Sequence, residues 1–186
     1  MNRERERMRK DALKWITCLG ITLCAWMAMQ LYAMETPKEG GKAPMVEGKN
    51  EDGKAWKLSK ALKQHAVLLY FYPKDETPGC TKEACGLRDR IGDLKKQGVT
   101  VVGVSRDSEA SHKAFIAKHQ LNFPLIADVD GKITEAFGAA MIGKPLSRRV
   151  SFLIGRDGTI LHVTDNPKAE IHLEEMREAV AMLKNK

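Results

Sequence analysis

Beyond residue 42, short solid apolar runs take turns with longer stretches of mixed polarity. The clearest runs are 66–72 and 99–104. Their length and β-branched or aromatic content are those of strands buried on both faces. Residues 56–58, 124–127, 149–154 and 159–163 read as shorter strands. The last two flank Gly155-Arg156-Asp157-Gly158, a hairpin signal. Helical patterns lie between. Ser59 caps a short turn, and 80–97 is helical up to the natural stop at Gly98. Ser108 or a neighbour caps a helix reaching His119. Residues 133–137 look helical, and 170–184 form an amphipathic closing helix. This alternation predicts an α/β domain with a central mixed β-sheet flanked by helices.

The N-terminus breaks that pattern. Trp15 to Met34 carry no charge, and Gln30 is the one strongly polar side chain among them. A helix of twenty residues at ~1.5 Å rise spans the ~30 Å core of a bilayer. The preceding stretch holds Arg3, Arg5, Arg7, Arg9, Lys10 and Lys14 against Glu4, Glu6 and Asp11. A hydrophobic helix is therefore expected before the domain, with 1–34 a signal peptide or signal anchor, 35–42 a polar linker and 43–186 the globular domain. A secretory core needs only ~7–15 apolar residues, so the length favours an uncleaved anchor. A positive flank stays inside. On this reading the domain lies outside the cytoplasm, in the periplasm or on the outer face of the inner membrane. If uncleaved, the apolar segment holds it to the membrane.

Composition narrows the function classes. At 186 residues the chain suits one well-cored domain plus a leader. Of the net charge of +7, +3 belongs to residues 1–34. The rest is spread over mixed-sign stretches, without the arginine-rich stripe and interleaved aromatics of a nucleic-acid binder. His65, His112, His119, His162 and His172 form no ligand constellation. Cys80 and Cys85 lack zinc-ribbon spacing. No metal or cofactor is implied.

The segment Pro73-Lys74-Asp75-Glu76-Thr77-Pro78-Gly79-Cys80 carries the candidate chemistry. Pro73 ends the apolar strand, and Thr77-Pro78-Gly79 reads as a turn and helix start. Cys80 then sits in the first helical turn, at the tip of a buried strand. Unpaired backbone N–H groups and the helix dipole stabilise negative charge there, which favours the reactive thiolate.

Residues 71–89 closely resemble the peroxiredoxins of the bacterioferritin-comigratory-protein (PrxQ) subfamily. Their signature of proline, three residues, threonine or serine, two residues and cysteine is filled by Pro73, Thr77 and Cys80. The likeness continues through Val102-Gly103-Val104-Ser105-Arg106-Asp107, Phe123-Pro124-Leu125-Ile126-Ala127-Asp128 and Arg149-Val150-Ser151-Phe152-Leu153-Ile154, and covers residues 43 to 184. It implies a thioredoxin-like fold. It also implies an atypical two-cysteine peroxidase for hydrogen peroxide and organic hydroperoxides, recycled by a thioredoxin-like dithiol, as a monomer or weak dimer. Cys80 would be the peroxidatic nucleophile and Cys85 the resolving cysteine. Thr77 would bond the sulfur and orient peroxide, Pro73 would shield the sulfur, and Arg149 would hold thiolate and peroxide. Arg148 would point to the opposite face of a regular strand.

Residues 138–147 form a shorter segment before the arginine strand than many such proteins carry, and Gly155 replaces a residue often acidic in them. The rival is a membrane-tethered thiol–disulfide exchange or metal-delivery protein on the same fold. Such proteins usually pair cysteines with two or three residues between them, near a metal-binding histidine, and this chain shows neither feature.

Overall fold

A computed structural model describes residues 35–183 of the chain. Seven strands form a single mixed sheet. They are β1 (Glu47–Asn50), β2 (Ala55–Lys57), β3 (Ala66–Phe71), β4 (Val99–Ser105), β5 (Leu125–Ala127), β6 (Val150–Ile154) and β7 (Ile160–Asp165), in the spatial order β2-β1-β5-β4-β3-β6-β7. The central strands β3, β4 and β5 run parallel. β6 pairs antiparallel with β3, placing Val150 opposite Phe71. The tip of β3 and the start of β6 therefore lie at the same end of the sheet.

Five helices are described: α1 (Leu58–Leu62), α2 (Pro78–Lys96), α3 (Glu109–His119), α4 (Lys132–Ala136) and α5 (Ala169–Met182). Side chains alternate along β3 between two cores. Leu68 and Tyr70 pack with Ala84, Leu87 and Leu94 of α2, Phe115 of α3 and Met176 of α5. Val67, Leu69 and Phe71 pack with Leu58 of α1, Ile133 of α4 and Phe152 of β6. Burial on both faces is why β3 reads as an unbroken apolar run. One face of α2 buries Cys80, Glu83, Ala84, Leu87, Ile91 and Leu94, following the 3.6-residue period. α2 and α5 approach closely at Gly86, where a Cβ would lie 2.5 Å from Leu173 Cδ1.

The expected elements are present, with ends shifted by no more than two residues. Strand β1 is an addition: Glu47–Asn50 alternates exposed and half-buried positions, and its polar sequence carries no strand signal. Ser108 caps α3, accepting from Ser111 N at 3.2 Å. Ser59 lies inside α1 instead, after Lys57 at the cap position. Within 35–42, read as a linker, residues 40–42 run beside the start of β7. Gly40 N donates to Ile160 O at 2.8 Å, and Ile160 N to Gly41 O at 2.8 Å.

The placement outside the cytoplasm through a signal anchor is not upheld. Among the described residues no helix is long and apolar enough to cross a membrane. Even α2, at 19 residues, carries Lys82, Glu83, Arg88, Asp89, Arg90, Asp93, Lys95 and Lys96, whose charges a bilayer core would not accept. The apolar run 15–34, with its expected hydrophobic helix, lies outside the described residues.

Candidate active site

Six residues, 72–77, lead from the end of β3 to Pro78, the first residue of α2. Pro suits that place because its missing N–H has no helical acceptor to lose. Thr77 is the N-cap, with extended backbone, and its carbonyl accepts from Thr81 N at 2.9 Å. Its side chain makes no cap bond to the helix. Instead its hydroxyl donates to Lys74 O at 3.0 Å. The Thr77 proton therefore serves the loop, which leaves the hydroxyl's lone pairs as acceptors. Pro73, half-buried, follows Tyr72 at the strand tip.

Cys80 lies in the first turn of α2 and is buried. In a first turn the N–H groups of Gly79 and Cys80 have no intrahelical acceptors. Arg149 arrives from the residue before β6. It is only 8% exposed, and its Nη2 donates to Cys80 Sγ at 3.2 Å. Its Nε donates to Pro167 O at 3.1 Å, and its Nη1 to Glu83 Oε2. A Cβ on Gly79 would stand 3.2 Å from Arg149 Nη2, so glycine leaves room for the guanidinium. Arg148 takes the other direction, donating to Asp165 Oδ2 at 2.5 Å and to Gly138 O at 2.7 Å. Cys85 is half-buried five residues along the same helix, and both thiols are free.

This is a buried sulfur at a helix N-terminus, facing a guanidinium whose other nitrogens are occupied. Such an arrangement stabilises a sulfur anion and any oxygen charge developing beside it.

Residues 40–163 match the AhpC/TSA family. Peroxiredoxin Bcp of Escherichia coli strain K12 is 43% identical over 145 residues, covering 75% of this chain and 92% of its own. Peroxidoxin BcpB of Mycobacterium tuberculosis has a similar structure, with a TM-score of 0.72 at 31% identity, covering 80% of this chain and 97% of that one. The bacterioferritin comigratory protein of Xanthomonas campestris, described for its alkyl peroxide reduction activity, gives 0.67 at 30% identity, covering 77% and 96%. The chain belongs to the peroxiredoxins, in the Bcp/PrxQ branch of the AhpC/TSA family. It has their thioredoxin-like fold and is a thiol peroxidase. That membership displaces the thiol-exchange or metal-delivery alternative.

Around the cysteine of this peroxiredoxin lies a polar layer that sequence reasoning missed. Glu83 is completely buried. Burial pushes its carboxyl up to about 7, against the opposing pull of Arg149. Its Oε1 has no hydrogen-bond partner and lies 3.7 Å from His172 Nδ1. His172 is held by Ser151 Oγ at 2.7 Å and by Asn166 O at 2.7 Å, and burial lowers its pKa. Tyr70 Oη is a second buried atom without a partner. Burial, followed by Glu83 and Cys80, holds that phenol well above its ordinary value.

The loop has its own network. Asp75 accepts from Tyr72 Oη at 2.7 Å and from Ser111 Oγ at 2.7 Å, and its Oδ2 is 3.0 Å from His112 Nδ1. Burial pushes the Asp75 carboxyl up, but these bonds, led by His112, hold it below its ordinary range. Glu83 had a signal in the sequence: it is an acid three residues from Cys80 on the apolar stripe of α2. Asp75 and His112 had none, because 37 residues separate them.

Proposed function

We propose that this peroxiredoxin reduces hydrogen peroxide and organic hydroperoxides through a Cys80 sulfenic acid and a Cys80–Cys85 disulfide. The Cys80 thiolate attacks the hydroxyl-bearing oxygen of the peroxide. The O–O bond breaks, the sulfur keeps the OH, and the departing hydroxide or alkoxide takes a proton. The Cys85 thiolate then attacks the sulfenic sulfur, forming the disulfide and expelling hydroxide, which takes up the proton Cys85 released and leaves as water. A thioredoxin-like dithiol reduces that bond by exchange.

The observation that carries this reading is the 3.2 Å contact between Arg149 Nη2 and Cys80 Sγ. In the proposal Arg149 and the first-turn N–H groups bind the sulfur anion and the polarised peroxide oxygens. Thr77 accepts the peroxide hydroxyl, since its own proton is engaged by Lys74 O. Pro73 shields the sulfur from water. The alkyl peroxide activity of the Xanthomonas campestris relative supports the organic half of the substrate range.

The disulfide demands motion. On an ideal helix, Cα atoms five residues apart lie ~8.7 Å apart, whereas a disulfide needs ~4.4–6.8 Å. The first turns of α2 must therefore unwind before Cys85 reaches Cys80.

The test compares Cys80→Ser with Cys85→Ser. The first loses all peroxide consumption. The second completes one turnover and then accumulates sulfenic and higher oxides, visible as added oxygen by intact mass. Equal residual turnover in both, under saturating reductant, would overturn the assignment. A Cys80 disulfide to a second chain would demote Cys85.

A further inference from the structure

We infer that Asp107 is a positioning residue for Thr77, acting through the peptide bond between Lys74 and Asp75. The inference rests on the role given to Thr77 above.

The loop from Pro73 to Gly79 has little apolar anchorage. Asp75 is its one buried residue, at 5% exposure. Polar bonds hold the loop instead, and two of them meet on one peptide unit. The carbonyl of Lys74 accepts from Thr77 Oγ1 at 3.0 Å. The N–H of Asp75, across the same peptide bond, donates to Asp107 Oδ2 at 3.0 Å. A peptide unit is planar, so fixing its N–H fixes the direction of its C=O. That carbonyl in turn engages the threonine proton, which leaves the lone pairs of Thr77 to face a substrate hydroxyl.

Asp107 is itself tied to the sheet. Its Oδ2 also accepts from Ser105 Oγ at 2.6 Å, and its N donates to Ser105 Oγ at 3.1 Å. Ser105 is the fully buried last residue of β4. A continuous path thus runs from a central strand through Ser105, Asp107 and peptide 74–75 to Thr77. The Asp75 carboxylate, held by Tyr72, Ser111 and His112, resists rotation of the same peptide from its other side. Glu76, next in the chain, has φ of 62°. A glutamate stays in the left-handed region only where its surroundings over-determine it. Arg149 approaches the sulfur from the start of β6, and its partners Pro167, Glu83 and Cys80 lie outside this path.

Rapid-mixing kinetics with hydrogen peroxide and tert-butyl hydroperoxide test the path, with ultraviolet thiolate absorbance as the control. Asp107→Ala is expected to slow peroxide attack by about tenfold, within the range that small misplacements cause, without changing the pH profile of the thiolate signal. Asp107→Asn, which keeps an oxygen acceptor, recovers most of the rate. Thr77→Val slows the reaction, and Asp107→Ala adds nothing to it in the double variant, because both act through one hydroxyl. If Asp107→Ala fails to fold, Ser105→Ala is read in the same cycle. Independent, multiplying losses would overturn the path, as would a wild-type rate in a folded Asp107→Ala. A wild-type rate in Thr77→Val would remove the Thr77 role itself, and this inference with it.

Discussion

Arg149 Nη2 lies 3.2 Å from Cys80 Sγ across a sequence separation of 69 residues. Antiparallel pairing of β3 and β6 makes the contact, because it brings Val150 opposite Phe71. Arg149 therefore stands where the loop after β3 delivers the cysteine. The guanidinium reaches the sulfur, Glu83 and the Pro167 carbonyl at once. A planar fork suits three such acceptors better than a point charge.

Arg149→Ala is expected to slow peroxide attack by about 10²–10³, the scale of losing one preorganised donor. Lysine in its place restores little. Arg148→Ala leaves the rate nearly intact, since Arg148 serves Asp165 and Gly138. Single-turnover kinetics rank the three variants, and a larger loss for Arg148→Ala would contradict the assignment.

The same substitution should destabilise the fold for a separate reason. Without Arg149, whose pull lowers it, the pKa of the buried Glu83 carboxyl rises further. The full cost of a stranded charge, typically about 3–5 kcal/mol, is therefore felt only at alkaline pH, and at neutral pH the group takes up a proton at a smaller cost. Adding Glu83→Gln to Arg149→Ala removes the buried ionisable group. The double variant should regain much of the stability and none of the rate. Denaturant midpoints and peroxide kinetics, taken together, separate the two effects.

Glu83 also gives stability a pH dependence of defined sign. Its carboxyl ionises near 4.5 when exposed and near about 7 in the fold, where burial raises it. Between those values the native state keeps a proton that the unfolded state has lost. Its contribution is complete below the lower value and disappears as pH rises through the upper one. The change is on the order of 3 kcal/mol. Glu83→Gln should flatten this part of the profile in denaturant titrations across the window. An unchanged slope would locate the titration elsewhere.

Oxidation should loosen α2 locally. Both cysteines lie on one continuous helix with free thiols, and unwinding must precede their bond. Hydrogen exchange should rise across residues 81–87 in the Cys80–Cys85 disulfide form, while β3 stays protected. A disulfide with those amides equally protected in both redox states would rule out the unwinding step.

Much of this protein was legible along the chain. The buried strands, the start of α2, the place of Cys80 in its first turn and the signature residues Pro73 and Thr77 are local features, carried by periodicity, turn chemistry and motif spacing. The family resemblance singles out Arg149, which the structure sets beside Cys80. Local sequence did not contain the partners of these groups. Strand pairing decides that Arg149 meets Cys80. Helix packing decides that His172 lies beside Glu83, and the approach of α3 to the loop puts His112 on Asp75. Thr77 shows the limit most directly. Its identity is a motif, but the direction of its proton depends on Lys74 and Asp107, fixed by bonds between segments that only the folded sheet brings together.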